Sequence, residues 1–149
     1  MRVDQFLVDA AVRQLDDRWP DRQPGLAAAL YLEDGSVLTG VALPNINAVM
    51  NLCAETGPIC EAFGRGERVV ASVCVARRLG DDGFVVLAPC GACQERLALW
   101  GPDVEVGVAH PYDVRDWSSR RLAEVNPYYW AVAYGDAIGW PSVNDHIGR

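Results

Sequence analysis

Two short cysteine-bearing segments constrain this chain more than anything else in it: Asn51-Leu52-Cys53-Ala54-Glu55 and, well downstream, Ala88-Pro89-Cys90-Gly91-Ala92-Cys93-Gln94-Glu95. Together they supply three thiols and one carboxylate in the pattern C-x-E followed by P-C-x-x-C. Cys53 precedes a run from Ala54 to Phe63 that reads as a helix, and Cys90 precedes another from Gly91 to Trp100, so each cysteine set falls in a first helical turn. Helix N-termini carry unpaired N–H groups and a partial positive charge, which favour thiolate over thiol. Deep in a helix, residues two apart face away from each other, but an ion lying off the end of the axis is within reach of both Cys53 and Glu55. Pro89 punctuates the passage from strand to helix. A fold that uses the pattern as a unit has to bring the two helix starts together.

The residue types suit one chemistry, and the pattern, in its Cys₃ form, is similar to the signature of zinc deaminases. Removing an amino group from an aromatic ring carbon calls for hydroxide at neutral pH, and zinc provides it by lowering the pKa of bound water to about 7. Cys53, Cys90 and Cys93 make three protein ligands, which leave the fourth tetrahedral position open. Glu55 is then free to carry protons from the water to the ring nitrogen and to the departing ammonia.

Other readings of the same residues stay in view. A C-x-x-C pair alone also reads as a redox dithiol or as half of a structural zinc site. A structural site wants a fourth Cys or His, and Cys60, Cys74, His110 and His146 are the candidates. Cys60 lies seven residues beyond Cys53 on the same helix, about 10 Å along the axis and too far to share an ion. Cys74 sits inside the apolar run Val69 to Ala76, where a cysteine usually serves as a small core residue. His110 and His146 read as polar groups at a strand end and in a tail.

The chain of 149 residues is long enough for one domain with a substantial core, and its 50% apolar content says globular. Five cysteines is an odd count, with three better used as metal ligands than in disulfides, so a reducing compartment and hence the cytoplasm are expected. The start lacks a basic region followed by a long apolar core, and no apolar run approaches a membrane span, so no membrane partner is expected. Net charge is −7, from 20 acidic and 13 basic residues, and the basic ones are isolated or paired, as in Arg77-Arg78 and Arg120-Arg121. That disfavours nucleic acid as a partner and points to a small-molecule substrate.

Apolar residues at Val3, Phe6, Leu7, Ala10, Ala11 and Leu15 predict an opening amphipathic helix. Leu26 to Leu32 and Val37 to Leu43 predict a hairpin, the Asp34-Gly35 step marking its turn, and Pro44-Asn45-Ile46-Asn47 breaks the second strand. Val69 to Ala76, Phe84 to Leu87 and Val104 to Ala109 read as strands, His110 to Trp117 as a loop, and Ser118 to Val125 as a short helix. The expectation is an α/β fold, a three-layer α/β/α sandwich around a mixed sheet of about five strands, with residues 1–149 as a single domain and an aromatic C-terminal extension from about residue 126.

With these residues in place, the chain resembles the small cytidine deaminase family of the Cys₃-zinc type, blasticidin S deaminase-like members included. The resemblance runs over most of the chain, from the opening helix and the hairpin with Glu33-Asp34-Gly35 and Thr39-Gly40 through Cys53-Ala54-Glu55 and Pro89-Cys90-Gly91-Ala92-Cys93. It implies zinc on Cys53, Cys90 and Cys93, Glu55 as proton shuttle, the Ala54 backbone on the ring carbonyl and the Ala88 carbonyl near the leaving amine. It also implies a homotetramer with sites completed by neighbouring subunits, and an aromatic that reaches the substrate base, for which Trp130 in Asn126-Pro127-Tyr128-Tyr129-Trp130 stands in the corresponding place.

The departures fall on the substrate side. Family members that act on nucleosides carry an Asn-x-Glu-Asn segment whose first Asn and Glu hold the ribose hydroxyls, and those two positions are Ala42 and Pro44 here. Only the last Asn survives, as Asn45, a candidate substrate contact; losing two hydroxyl-binding side chains weakens ribose recognition. That keeps a nucleoside-antibiotic deaminase of the blasticidin S kind alongside a deaminase of cytidine, and a non-catalytic protein with a structural zinc stands as the alternative from another class. The family's usual arginines after Glu55 and after Cys93 are Thr56 and Gln94 here. Arg96, an arginine of a neighbouring copy, or the two helix ends remain to offset the charge of three thiolates on one Zn²⁺. Residues 131–149 exceed the compact family pattern and are expected to cover the site or an interface.

Overall fold

In the computed structural model, which describes residues 1–134 and Trp140, one mixed sheet of six strands carries helices on both faces. The first helix, α1 (Gln5–Arg18), starts where the Asp4 side chain accepts the Leu7 N–H at 2.9 Å, so the N-cap satisfies one of the helix's orphan donors. The predicted hairpin forms as β1 (Gly25–Leu32) and β2 (Val37–Val41), paired antiparallel, with Gly35 in the turn at φ 87°.

The second helix, α2 (Thr56–Arg65), closes on Gly66 at φ 71°, a left-handed cap whose N–H reaches the Ala62 and Phe63 carbonyls. Next come β3 (Val69–Arg77), β4 (Val85–Leu87) and α3 (Gly91–Leu97), the last extended by a 3₁₀ turn over Ala98–Trp100. β5 (Glu105–His110), β6 (Asp113–Arg121) and α4 (Leu122–Val125) follow, then a 3₁₀ segment, Trp130–Tyr134.

The strand order is β2-β1-β3-β5-β6, with β4 paired to β3 off this path. β3 and β5 run parallel and the other pairs antiparallel. Alternate residues of β1 face opposite layers, as a strand's period of two requires. Ala27, Ala29 and Tyr31 pack with Leu7, Val8 and Leu15 of α1; Ala28, Leu30 and Leu32 pack with Ile59 of α2 and Leu97 of α3. The expected α/β/α sandwich is therefore present, with the two cysteine-bearing helices sharing one layer. Among the described residues no helix is long and apolar enough to cross a membrane.

Two expectations are corrected. Residues 113–121, read as loop followed by helix, form the edge strand β6, which raises the strand number from about five to six. The helix read as Ser118 to Val125 is only the four residues of α4. The sequence Asp113-Val114-Arg115-Asp116-Trp117-Ser118-Ser119-Arg120-Arg121 has no alternating apolar face because every one of its residues is exposed or only partly covered. Its strand form comes from pairing with β5, from Glu105↔Arg121 to His110↔Asp113, and its charges suit an edge. The expectation for residues 131–149 rests on positions that, after Tyr134 and apart from Trp140, lie outside the described residues.

Candidate active site

Pairing along β3 sets where the second cysteine segment emerges. β3 shares one edge between two partners, with Cys74↔Leu87 to Ala76↔Val85 on β4 and Ala71↔Glu105 and Ser72↔Val106 on β5. β4 must therefore leave the sheet after Leu87, midway along β3, and Pro89 and Cys90 follow at once. Cys90 is extended at φ −66° and ψ 166° and caps α3, whose Gln94 N–H bonds the Cys90 carbonyl at 2.9 Å.

The first segment arrives from β2. Leu43 and Leu52 form an isolated antiparallel bridge that closes the loop between them, and Cys53 follows. Glu55 is the N-cap residue of α2. Gly40 lets β2 pass close beneath this helix start, since a Cβ there would lie 2.5 Å from Pro58 Cδ and 2.6 Å from the Ala54 carbonyl oxygen.

The result is a cluster of three free thiols. Cys53, Cys90 and Cys93 place their sulfurs within 4.8 Å of one another, and the Sγ atoms of Cys53 and Cys90 are 3.3 Å apart. A tetrahedral zinc with Zn–S bonds of about 2.3 Å holds its sulfurs about 3.8 Å apart, so the donor spacing and the all-thiol set fit such an ion. No other described Cys, His, Asp or Glu joins the cluster. Cys60 is exposed; Cys74 is buried in the core; His110 ends β5 and accepts the Tyr112 N–H on its Nδ1. His146 lies outside the described residues.

Electrostatics separate the three thiols. Burial, with the negative charges of Glu55, Cys90 and Cys53 behind it, pushes the Cys93 thiol far up. Cys53 is raised by burial and by its hydrogen bond with Cys90. Burial works against Cys90 too, but the Cys93 and Ala92 N–H groups at the start of α3 and the neighbouring thiols hold it below its ordinary value. Glu55 is 3% exposed, and burial raises its carboxyl despite its own backbone N–H, the Cys93 thiol and the positive charge of Arg96. Crowded thiols that resist joint ionisation are what a divalent cation relieves.

The other residues named from sequence fall as follows. Ala54 is 1% exposed between Cys53 and Glu55, and Ala88 lies exposed just before Pro89. Asn45 is exposed and works within its own loop: its N–H bonds Asn51 Oδ1 at 2.7 Å, and its Nδ2 donates to the Met50 carbonyl at 2.9 Å and the Leu43 carbonyl at 3.3 Å. Gln94 turns its amide back to the Pro89 carbonyl at 2.8 Å. Trp130 is 61% exposed and tied to α3, where Glu95 accepts its indole N–H. Glu95 had no sequence signal beyond its place beside Cys93, because its partners, Tyr129 and Trp130, are more than thirty residues away (separations of 34 and 35).

No protein-family model matches the chain. A cytidine deaminase of Mycobacterium tuberculosis is 35% identical over 103 residues, covering 68% of this chain and 69% of that protein. A blasticidin-S deaminase of Bacillus cereus is 24% identical over 104 residues, covering 67% of this chain and 74% of that protein. The crystal structure of the cytidine deaminase from Bacillus anthracis superposes with a TM-score of 0.78 at 39% identity, covering 87% of this chain and 91% of that one. Fold and helix-start motifs together define a hydrolase that acts on C–N bonds. The chain belongs to the cytidine deaminase family.

Proposed function

We propose that this chain, as one domain over residues 1–149, hydrolyses the exocyclic amine of a cytidine-like aminopyrimidine, releasing ammonia and leaving the keto ring. The observation that carries this reading is the convergence of three thiols beside the buried carboxyl of Glu55, which a purely structural metal site does not need. Cys53, Cys90 and Cys93 would hold zinc. When bound, that zinc supplies the Lewis acidity that brings the pKa of water to about 7.

Glu55 does the proton work. Burial raises the proton affinity of its carboxylate, which can therefore take a proton from water, pass it to the ring nitrogen, and later deliver water's second proton to the departing amine. Water adds to the amine-bearing carbon, the C–N bond breaks and a C=O bond takes its place, so one water is consumed for each ammonia released. The Ala54 N–H would donate to the ring carbonyl, the Ala88 carbonyl would accept from the amine, and Asn45 and Trp130 would contact the substrate. Homotetramers would complete the sites, with the exposed Leu43, Ile46, Val49 and Met50 covered by a neighbouring copy. The thiol-rich site suits the reducing cytoplasm.

A second reading, a nucleoside-antibiotic deaminase of the blasticidin S kind, is favoured by one observation. Ala42 and Pro44 offer no side-chain partner to ribose, and the Asn45 amide donates within its loop.

The test is ammonia release from cytosine, cytidine, deoxycytidine, cytidine monophosphate and blasticidin S by the zinc-loaded protein and by its Glu55→Ala variant. Glu55-dependent release from cytidine supports the first reading, and release from blasticidin S alone supports the second. Zinc held by four protein ligands, with no turnover on the panel, would leave only a structural metal.

A further inference from the structure

Arg96 is a partly buried cation without a carboxylate partner: none of the ion pairs formed among the described residues includes it. The adjacent acid, Glu95, does not serve it, because both Glu95 oxygens accept from Tyr129 and Trp130. The Arg96 guanidinium instead crosses from α3 to α2, where Nη1 donates to Thr56 Oγ1 at 3.1 Å. Thr56 is buried and follows Glu55 directly, and Arg96 lies one helical turn after Cys93. The charge is therefore held between the two helix starts that carry the thiols and the carboxyl.

A cation in that position that forms no ion pair among the described residues has an electrostatic reason. Three thiolates on one divalent ion leave a net charge of −1, and the neighbouring Glu55 carboxylate adds to it. The residues at the two helix starts that border the cluster, Thr56 and Gln94, carry no charge, and the Gln94 amide turns away to Pro89. In a partly desolvated site the charge of Arg96 counts for more than at an exposed surface.

We propose that Arg96 is a positioning residue of the metal centre: docked on Thr56, its guanidinium offsets the excess negative charge of the three thiolates and Glu55 and so strengthens metal binding. The proposal rests on the reading that Cys53, Cys90 and Cys93 hold zinc.

The experiment is zinc competition against a chromophoric chelator, using metal-stripped protein and its Arg96→Gln, Arg96→Lys, Thr56→Val and Cys90→Ala variants, with thermal unfolding of each metal-free form alongside. Arg96→Gln is expected to weaken zinc binding roughly 10- to 100-fold, the range in which groups surrounding metal ligands act. Arg96→Lys, which keeps the charge and loses the planar fork, is expected to lose less, and Thr56→Val, which keeps the charge but frees the guanidinium, also less than Arg96→Gln. Zinc affinity of Arg96→Gln within about twofold of the parent overturns the proposal. So does an equal loss in Arg96→Lys and Arg96→Gln that tracks lowered unfolding temperatures of their metal-free forms, since that is a packing role. Unchanged zinc binding by Cys90→Ala instead sinks the thiol-site reading beneath it.

Discussion

Glu95 accepts the indole N–H of Trp130 at 2.9 Å, and its other carboxylate oxygen accepts the Tyr129 hydroxyl at 3.0 Å. This fork ties the segment after α4 to the helix that carries Cys90 and Cys93, with both carboxylate oxygens serving as acceptors. Burial and the Glu95 carboxylate push the Tyr129 phenol up to about 12. The unfolded phenol ionises near pH 10 and the folded one near 12, so Tyr129 costs the folded state stability as pH rises between those values. Glu95→Gln removes the negative charge and turns one acceptor into a donor facing a donor. The Tyr129 phenolate transition, followed by absorbance, is expected to move down towards 10, and Trp130 emission is expected to change with it.

Gly40 is a point where β2 passes tightly beneath the site. An added Cβ meets Pro58 Cδ at 2.5 Å and the Ala54 carbonyl oxygen at 2.6 Å, and the second of these is backbone that cannot rotate away. Gly40→Ala is expected to cost about 1–3 kcal/mol in urea unfolding, in the range of overpacked cores. Because the strain falls beside Cys53 and Glu55, zinc content at saturation is expected to drop as well. A control at Gly57, where an added Cβ meets nothing within 4 Å, is expected to leave zinc content unchanged.

These contacts show what the sequence makes legible. The two cysteine segments identify the site because a metal centre needs donor types at short spacings, and those spacings are local. The hairpin and β3 are equally plain, since their apolar residues are buried against layers on both faces of the sheet. β6 is not, because an edge strand with polar faces owes its form to β5, a partner that a local window does not reveal. The same reason hides the Arg96–Thr56 and Glu95–Trp130 contacts, at separations of 40 and 35 residues. Asn45 shows the opposite limit: its residue type suggests a ligand contact, yet its amide folds the loop that contains it.

Arg77, the last residue of β3, is a buried charge that pairs with α1. Its side chain is 6% exposed, and among the described residues its one ion pair reaches the half-exposed Asp16 of α1 while its Nε and Nη1 find no partner. Asp16→Asn would leave a buried cation without its counter-charge and is expected to lower stability by about 1–3 kcal/mol. Arg77→Met removes the charge and keeps the hydrocarbon stem, so it is expected to be near neutral or stabilising, as buried ion pairs replaced by apolar groups often are. Urea unfolding of both variants checks the pair, and an Arg77→Met cost larger than that of Asp16→Asn would show that the guanidinium itself holds α1 to β3.

Metal removal has to show both in stability and in which thiols react. A ligand bound only by the folded state at a hundred times its Kd adds about 2.7 kcal/mol, so chelation is expected to lower Tm by about 5–10 °C for a chain of this size. With zinc bound, Cys53, Cys90 and Cys93 are engaged, Cys74 is buried, and exposed Cys60 is the thiol expected to label fast. After chelation, Cys90, exposed and held below its ordinary value at the start of α3, is expected to react next, followed by the partly buried Cys53. Cys93 should stay slow, because burial and the surrounding negative charges keep its thiol protonated. Mass spectrometry of alkylated peptides before and after chelation reads this order directly. Fast labelling of Cys53 and Cys90 in zinc-saturated protein would mean that the three thiols do not act as one metal site.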